Sequence, residues 1–367
     1  NIMKKTQLPL IAAAVAALGL TSCAEEEIPS SVSNHEVSGI SFRPAMAGQT
    51  RASEVNNSNL SDIYATTFMG DSLYFHDVKF SKDNDGYFNS LKQYLWPGDT
   101  TTLTFYSYAP SLDELGADIT INGKDLVLDT YVTPESIADQ VDFITAKATG
   151  NKDANEATGV PLTFSHRLAQ VEVRAKSDNK QLVYEVAGVR IGRPQTTGTF
   201  DFNTNTWTLD SWHETAVWTS SCTPVKLGST AVSIMGESGN GMFIPQKLIP
   251  WSPVNDPDNV AREAYLSVLV RITTDDGVQL YPFPSDKQLD ESGQKRKYAW
   301  ASIPISDTWE QGKKYIYTLD FTDGAGNVDP DDPTPGKPVL GDPIKFTVNV
   351  ENWVDTPVAT PMTPLRK

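Results

Sequence analysis

Pro161-Leu162-Thr163-Phe164-Ser165-His166-Arg167-Leu168-Ala169-Gln170-Val171-Glu172-Val173-Arg174 decides the fold. Two runs in it alternate, Leu162 to His166 and Ala169 to Arg174. Apolar residues at every second position mark strands that bury one face and wet the other. Working outward, the same alternation recurs in short runs: Tyr64 to Met69, Ser72 to Phe80, Gln93 to Trp96, Thr102 to Tyr108, Leu126 to Val132 and Phe143 to Ala148 before it. Leu182 to Ile191, Thr199 to Phe202, Thr206 to Leu209, Met242 to Ile244, Tyr265 to Ile272, Lys297 to Ile303, Lys314 to Phe321 and Ile344 to Val350 follow it. Asp85-Gly86, Pro97-Gly98 and Asn122-Gly123 supply turn residues between runs. No stretch holds an apolar helical period over four turns, and Ser136 to Gln140 offers one short turn at most. Many short strands separated by turns predict an all-β chain built of β-sandwiches.

Thr149 to Thr158 is polar and lacks large apolar residues, which predicts a boundary. The expected organisation is a leader over 1–22, a tether with a first strand over 23–51, an N-terminal β-sandwich over 52–158, and a C-terminal β-sandwich with a tail over 159–367. Asp323 to Gly341, rich in Asp, Pro and Gly, is a loop before the last strand.

The N-terminus carries an export signal. Lys4 and Lys5 form a basic start, Leu8 to Leu20 an apolar run, and Thr21 and Ser22 are small residues ahead of Cys23. The run is short for a bilayer span, which needs about 20 apolar residues. Leu20-Thr21-Ser22-Cys23 reads as a lipobox, so Cys23 is the expected acylation (palmitate) site and anchor to the outer membrane. Ala24 in place of Asp, and the acidic Glu25-Glu26-Glu27, are compatible with surface export or with a simple polar tether. Losing Lys4 and Lys5 with the leader takes the net charge from −16 to −18. So acidic a surface excludes nucleic acid as an expected partner. Cys222 is the sole cysteine beyond Cys23, so an acylated Cys23 rules out an intrachain disulfide.

No enzyme constellation emerges. The four histidines are His35, His76, His166 and His213, and neither HExxH nor G-x-S-x-G is present. His166 and His76 sit in strands and read as packed structural residues. Gly236-Glu237-Ser238-Gly239-Asn240-Gly241 precedes Met242-Phe243-Ile244-Pro245, a strand rather than the helix a phosphate cradle needs, and reads as a turn. Asp83-Asn84-Asp85-Gly86 and Asp329-Pro330-Asp331-Asp332 offer hard oxygens without the downstream glutamate of an EF-hand loop. Trp207, Trp212 and Trp218 fit either a glycan platform or core packing. No metal or other cofactor is expected.

The arginines near the first strand, Val37 to Phe42, are more informative. Arg43 is shielded by Pro44, but Arg51 is followed by Ala52 in a loop of small polar residues, where proteolysis concentrates. Cutting there would detach the segment that carries Val37, Ile40 and Phe42. It would leave an unpaired sheet edge and an apolar groove open to another strand.

The lipobox, Ile40-Ser41-Phe42, the Thr50-Arg51-Ala52 loop, Pro161 to Ala169, Lys314-Tyr315-Ile316-Tyr317-Thr318-Leu319, and Phe346 to Trp353 occur in the order seen in fimbrillins, the pilins of Bacteroidales type V pili, and the chain resembles that family over nearly its whole length. The resemblance implies two transthyretin-like β-sandwich domains in series and export as a lipoprotein. It implies cleavage after Arg51 by an arginine-specific protease, and polymerisation by strand exchange with other pilin subunits. The strand with Val37, Ile40 and Phe42 would be displaced, and the tail after Trp353 would donate Val354, Val358 and Met362. Pro357, Pro361 and Pro364 each remove a ladder donor from that tail. The implied setting is the surface-exposed outer membrane, then the fimbrium, with adhesion to a host or bacterial surface ligand. Tip and anchor subunits share these features, and a non-polymerising lipoprotein that binds glycans is the other class in play.

Overall fold

The computed structural model describes residues 39–46, 60–211, 214–259 and 263–353. Cys23, Val37, Arg51, Ala52, Trp212, His213, Val354, Val358 and Met362 lie outside these residues, as does His35. The described chain is almost wholly β, as the alternation predicts.

A closed barrel occupies the N-terminal half. Its strands run in the order β1 (Phe42–Met46), β4 (Phe88–Asn89), β3 (Ser72–Lys82), β2 (Asp62–Met69), β5 (Leu103–Ala109), β8 (Ile144–Gly150) and β9 (Val160–His166), and β9 returns to β1. Phe42, Phe80, Phe88, Leu103, Phe105, Val160 and Phe164 fill it. Two features differ from the sequence reading. This half is one sheet closed on itself rather than two facing sheets. Also, β9, placed by sequence at the head of the second half, closes the first, because its alternate residues Val160, Leu162 and Phe164 complete the barrel core.

The C-terminal half is a sandwich. One sheet runs β15 (Val232–Ser233), β10 (Ala169–Lys176), β22 (Lys313–Asp320) and β24 (Lys345–Asn352), with β16 (Gly241–Phe243) also on β10. The other runs β14 (Thr215–Lys226), β11 (Leu182–Gln195), β18 (Tyr265–Thr274), β20 (Ala299–Pro304) and β23 (Asn327–Val328), with β19 (Gln279–Tyr281) beside β18. Val171, Val173, Tyr317 and Leu319 from the first sheet share one core with Val189, Ile191, Val268 and Val270 from the second. A two-stranded ribbon, β17 (Gln246–Lys247) with β21 (Thr308–Trp309), adds Trp309 to it.

A further sheet crosses the expected boundary: β6 (Asp118–Asn122) and β7 (Asp125–Val132) pair through β7 with β12 (Thr197–Asp201) and β13 (Thr206–Leu209). It covers a third core in which Tyr108, Tyr131 and Phe143 meet Phe200, Phe202 and Trp353. The polar segment at the expected boundary forms a short helix, α2 (Lys152–Asn155), capped by the Asn151 side chain.

Local chemistry explains most turns. Gly123, at φ +63°, makes the two-residue loop that joins β6 to β7 in the register Asn122 to Asp125. α1 (Leu112–Leu115) is one turn fixed by a capping box between Ser111 and Glu114, too short to give a helical period. Gln93 to Trp96, expected as a strand, is not one. Tyr94 instead packs on Phe75 at 4.7 Å and Trp96 on Phe105 at 6.1 Å, and both help cover the barrel core. β14 went unseen in the sequence, because it is an edge strand of Ser, Thr and Pro with little apolar alternation.

On β10, the nearly buried Glu172 carboxylate accepts from Arg174 Nε at 2.6 Å and faces Lys314 Nζ at 2.7 Å. Burial opposes its ionisation, but the two cations outweigh burial and hold its pKa below the usual carboxylate range. A lowered folded-state pKa contributes stability above the ordinary carboxylate value and loses it as pH falls through the lowered one. Glu172→Gln should therefore unfold more readily at neutral pH, with the gap to the parent closing below about pH 4. Denaturant midpoints across an acid pH series measure it.

Candidate functional site

β1 is the stave that closes the barrel, and it is held unequally. On one side it makes a parallel ladder with β9, from Phe42 opposite Val160 to Met46 opposite Phe164. On the other it touches β4 at Phe42 and Phe88 alone. The strand begins where sequence expected one to end. Ile40 and Ser41 lead into it, with Ile40 N–H donating to Tyr94 O at 2.8 Å. Val160 N–H donates to Ser41 O at 2.8 Å. In a parallel ladder the next β1 amide towards β9 is then that of Arg43, and the nitrogen of Pro44 points away from β9. That is why the ladder tolerates a proline that looks like a strand breaker.

Phe42 is the strand's anchor. It is fully buried, edge-on to Phe80 at 4.7 Å and to Phe105 at 5.2 Å. Ile40 is also buried. Arg43 faces solvent with its guanidinium 4.4 Å above the Tyr87 ring. Gly159 must be glycine: its φ is +71°, and a Cβ there would stand 3.2 Å from Arg43 and 3.4 Å from the Phe42 backbone. Sequence reading found Ile40 and Phe42 but missed Gly159 and Val160 as the seat. A glycine between a polar run and a strand was the available signal.

The far end of β9 holds the end of the described chain. His166 is buried and stacks on Trp353, centroids 4.2 Å apart and planes 6° from parallel. His166 Nδ1 lies 2.6 Å from Asp142 Oδ2, and Trp353 N–H donates to Gly312 O at 2.9 Å. Trp353, the last described residue, is thus held by a ring stack and a backbone hydrogen bond. His166 is packed, as expected from its strand. His76, by contrast, is exposed and meets Thr66 Oγ1 at 3.1 Å.

The other candidates are absorbed by the fold. Asp83 folds its own loop, accepting from the amides of Asp85 and Tyr87 at 2.9 Å each. Asp329 is buried, accepting from Ser302 Oγ at 3.2 Å and Arg190 at 3.4 Å, and Asp332 pairs with Arg296 at 2.8 Å. Among the described residues no three His, Cys, Asp or Glu side chains gather as a metal site. Trp218 is in the sandwich core, with Nε1 donating to Pro134 O, while Trp207 Nε1 donates to Arg167 O in the third core. The two indoles do not form a shared surface platform, and Trp212, the third of the set, lies outside the described residues. Gly236–Ser238 is a 3-10 turn leading into β16, as read from sequence.

A sequence model described as fimbrillin-like matches residues 50–353. No curated protein matches in sequence. Solved structures resemble the chain at low identity. A candidate cell adhesion protein from Bacteroides uniformis is 16% identical, with 80% of this chain and 92% of that one covered and a TM-score of 0.42. One from Parabacteroides distasonis is 10% identical, with 88% and 99% covered and a TM-score of 0.46. The fimbrial anchor protein Mfa2 from Porphyromonas gingivalis is 10% identical, with 85% and 96% covered and a TM-score of 0.35.

Phe42→Ala removes the buried ring packed edge-on against Phe80 and Phe105, and should cost about 3–5 kcal/mol. Arg43→Ala, on the solvent side of the same strand, should cost under about 0.5 kcal/mol. Urea unfolding of the two variants measures the contrast.

Proposed function

The chain belongs to the fimbrillin-like family, and from that premise we propose that it is a structural fimbrial subunit assembled by strand exchange. In this reading it is exported as a precursor acylated on Cys23 and cut between Arg51 and Ala52 by an arginine-specific protease. It then polymerises with other fimbrial subunits at the cell surface, where the polymer serves adhesion. The role is mechanical rather than catalytic.

One observation carries the proposal: β1 is the barrel's closing stave and lies on the N-terminal side of Arg51. Cutting after Arg51 breaks the only covalent link between β1 and the rest of the barrel. Departure of β1 would bare the β4 and β9 edges and the apolar seat around Phe80, Phe88 and Phe105. A barrel owes its solubility to having no edge, so an opened one binds a replacement strand. The acceptor is thereby latent in the precursor and created by processing. The displaced segment would comprise Ile40 and the strand Phe42–Met46, which begins at the residue where the Val37–Phe42 run that alternation suggests ends. The tail beginning at Val354 is the proposed donor, leaving its own subunit at the His166–Trp353 stack. The two-domain, transthyretin-like organisation belongs to the same proposal, with the barrel as acceptor module and the sandwich as carrier of the donor tail.

Purified precursor treated with an arginine-specific protease should yield a body starting at Ala52 and a ladder of sodium-dodecyl-sulfate-resistant oligomers. Arg51→Ala should abolish both, and deletion of the tail after Trp353 should abolish the ladder while sparing the cut. A body that begins at Ala52 yet stays monomeric overturns strand exchange, and a chain left intact at Arg51 overturns processing.

A further inference from the structure

The barrel has no edges, but the sandwich has, and they are not alike. β14, one edge of its sheet, breaks register with β11 twice and carries Pro224 on its exposed stretch. Bulges and prolines are how edge strands avoid pairing with another chain. β15, the far edge of the other sheet, has only two residues. β24 has neither protection. It runs eight residues in unbroken register with β22, from Lys345 opposite Asp320 to Asn352 opposite Lys313, with no proline.

Its outer side, unpaired among the described residues, is a working template. Phe321 N–H donates to Lys176 O, so odd-numbered amides of β22 face β10. Alternation turns the even ones, from Lys314 to Asp320, towards β24, whose partners there are the odd residues from Lys345 to Glu351. Amides of Phe346, Val348 and Val350 therefore point outward from the sheet. Trp353 N–H, which donates to Gly312 O, fits the same alternation. The same three side chains face the sandwich core but overhang it. Phe346 is 37% and Val350 50% exposed, whereas their β22 neighbours Leu319 and Tyr315 are buried.

We propose that β24 pairs edge to edge with β24 of a second copy of this chain, antiparallel about a two-fold axis at Val348. The sequence of the strand is self-complementary in that register. Val348 meets itself, Phe346 meets Val350, Thr347 meets Asn349, and Lys345 meets Glu351. Both overhanging apolar residues gain a cross-strand apolar neighbour, and each of the two charges opposes its opposite. The existing partner of Lys345 is Asp323 at 2.5 Å, with both side chains largely exposed, so that contact is readily exchanged. A one-residue slip would put the apolar face of one copy beside the polar face of the other. The paired stretch ends before Trp353 and leaves the tail free, so this contact is lateral and independent of strand exchange.

Sedimentation of the unprocessed Cys23→Ser chain over a concentration series tests it. A monomer–dimer equilibrium is expected. Lys345→Glu and Glu351→Lys should each weaken the dimer on the order of tenfold by setting like charges opposite twice, and the double swap should restore it. Val348→Pro, which removes an outward donor and none facing β22, should give monomers with an unchanged far-ultraviolet spectrum. A chain monomeric at every concentration overturns the proposal, as does a dimer indifferent to the charge swap. A dimer that forms only after truncation behind Trp353 also overturns it, since the chain's own tail would then be the occupant of the edge.

Discussion

The burial of Phe42 is the contact on which the N-terminal half depends. Its ring sits edge-on to Phe80 and Phe105 and closes a sheet that would otherwise have two open sides. The strand that carries it has a five-residue ladder on one side and a single pair on the other. Apolar burial at one anchor therefore seats β1 together with the one-sided ladder. Parallel pairing is also slightly the weaker kind per residue.

The two halves of the chain are tied by a third core rather than by a linker. Phe143, just before β8, lies at its centre, edge-on to Phe200 at 5.3 Å and to Trp207 at 6.0 Å, so the barrel and the sheet of β6, β7, β12 and β13 contribute to one aromatic cluster. Trp353 belongs to that cluster as well and stacks on His166 from the barrel. The last described residue of the chain is thus fixed by the barrel, while the strand before it, β24, belongs to the sandwich. Tension on the tail would be borne by a buried ring stack and a backbone hydrogen bond rather than by the edge strand alone.

Edges divide the molecule by purpose. The barrel conceals its edges behind β1, and the β14 edge is spoiled by bulges and Pro224. β24 is long, regular and apolar on the inward side. The acidic loop around Asp329, Asp331 and Asp332, which resembles a cation site in one dimension, is folded back on Arg190, Arg193 and Arg296. Its charge is used internally to pin the loop against β11 and its neighbours.

Alternation is a local property, so it was legible: Leu162, Phe164 and Val171, Val173 marked buried faces with no knowledge of what they faced. Turn chemistry at Asn122-Gly123 was legible for the same reason, and so was the family, carried by an ordered set of local motifs. α1 and β14 were not, since four residues carry no period and an exposed edge of Ser and Thr has no apolar face. Closure was beyond reach too. That Val160 seats Phe42, that β7 pairs with β12, and that Trp353 stacks on His166 are contacts between residues far apart in the chain, and many pairings satisfy the same alternation. The sequence by itself determined most of the strands, their buried faces and the kind of protein. Only the tertiary structure decided which strand closes the barrel, because closure depends on which distant apolar faces pack together.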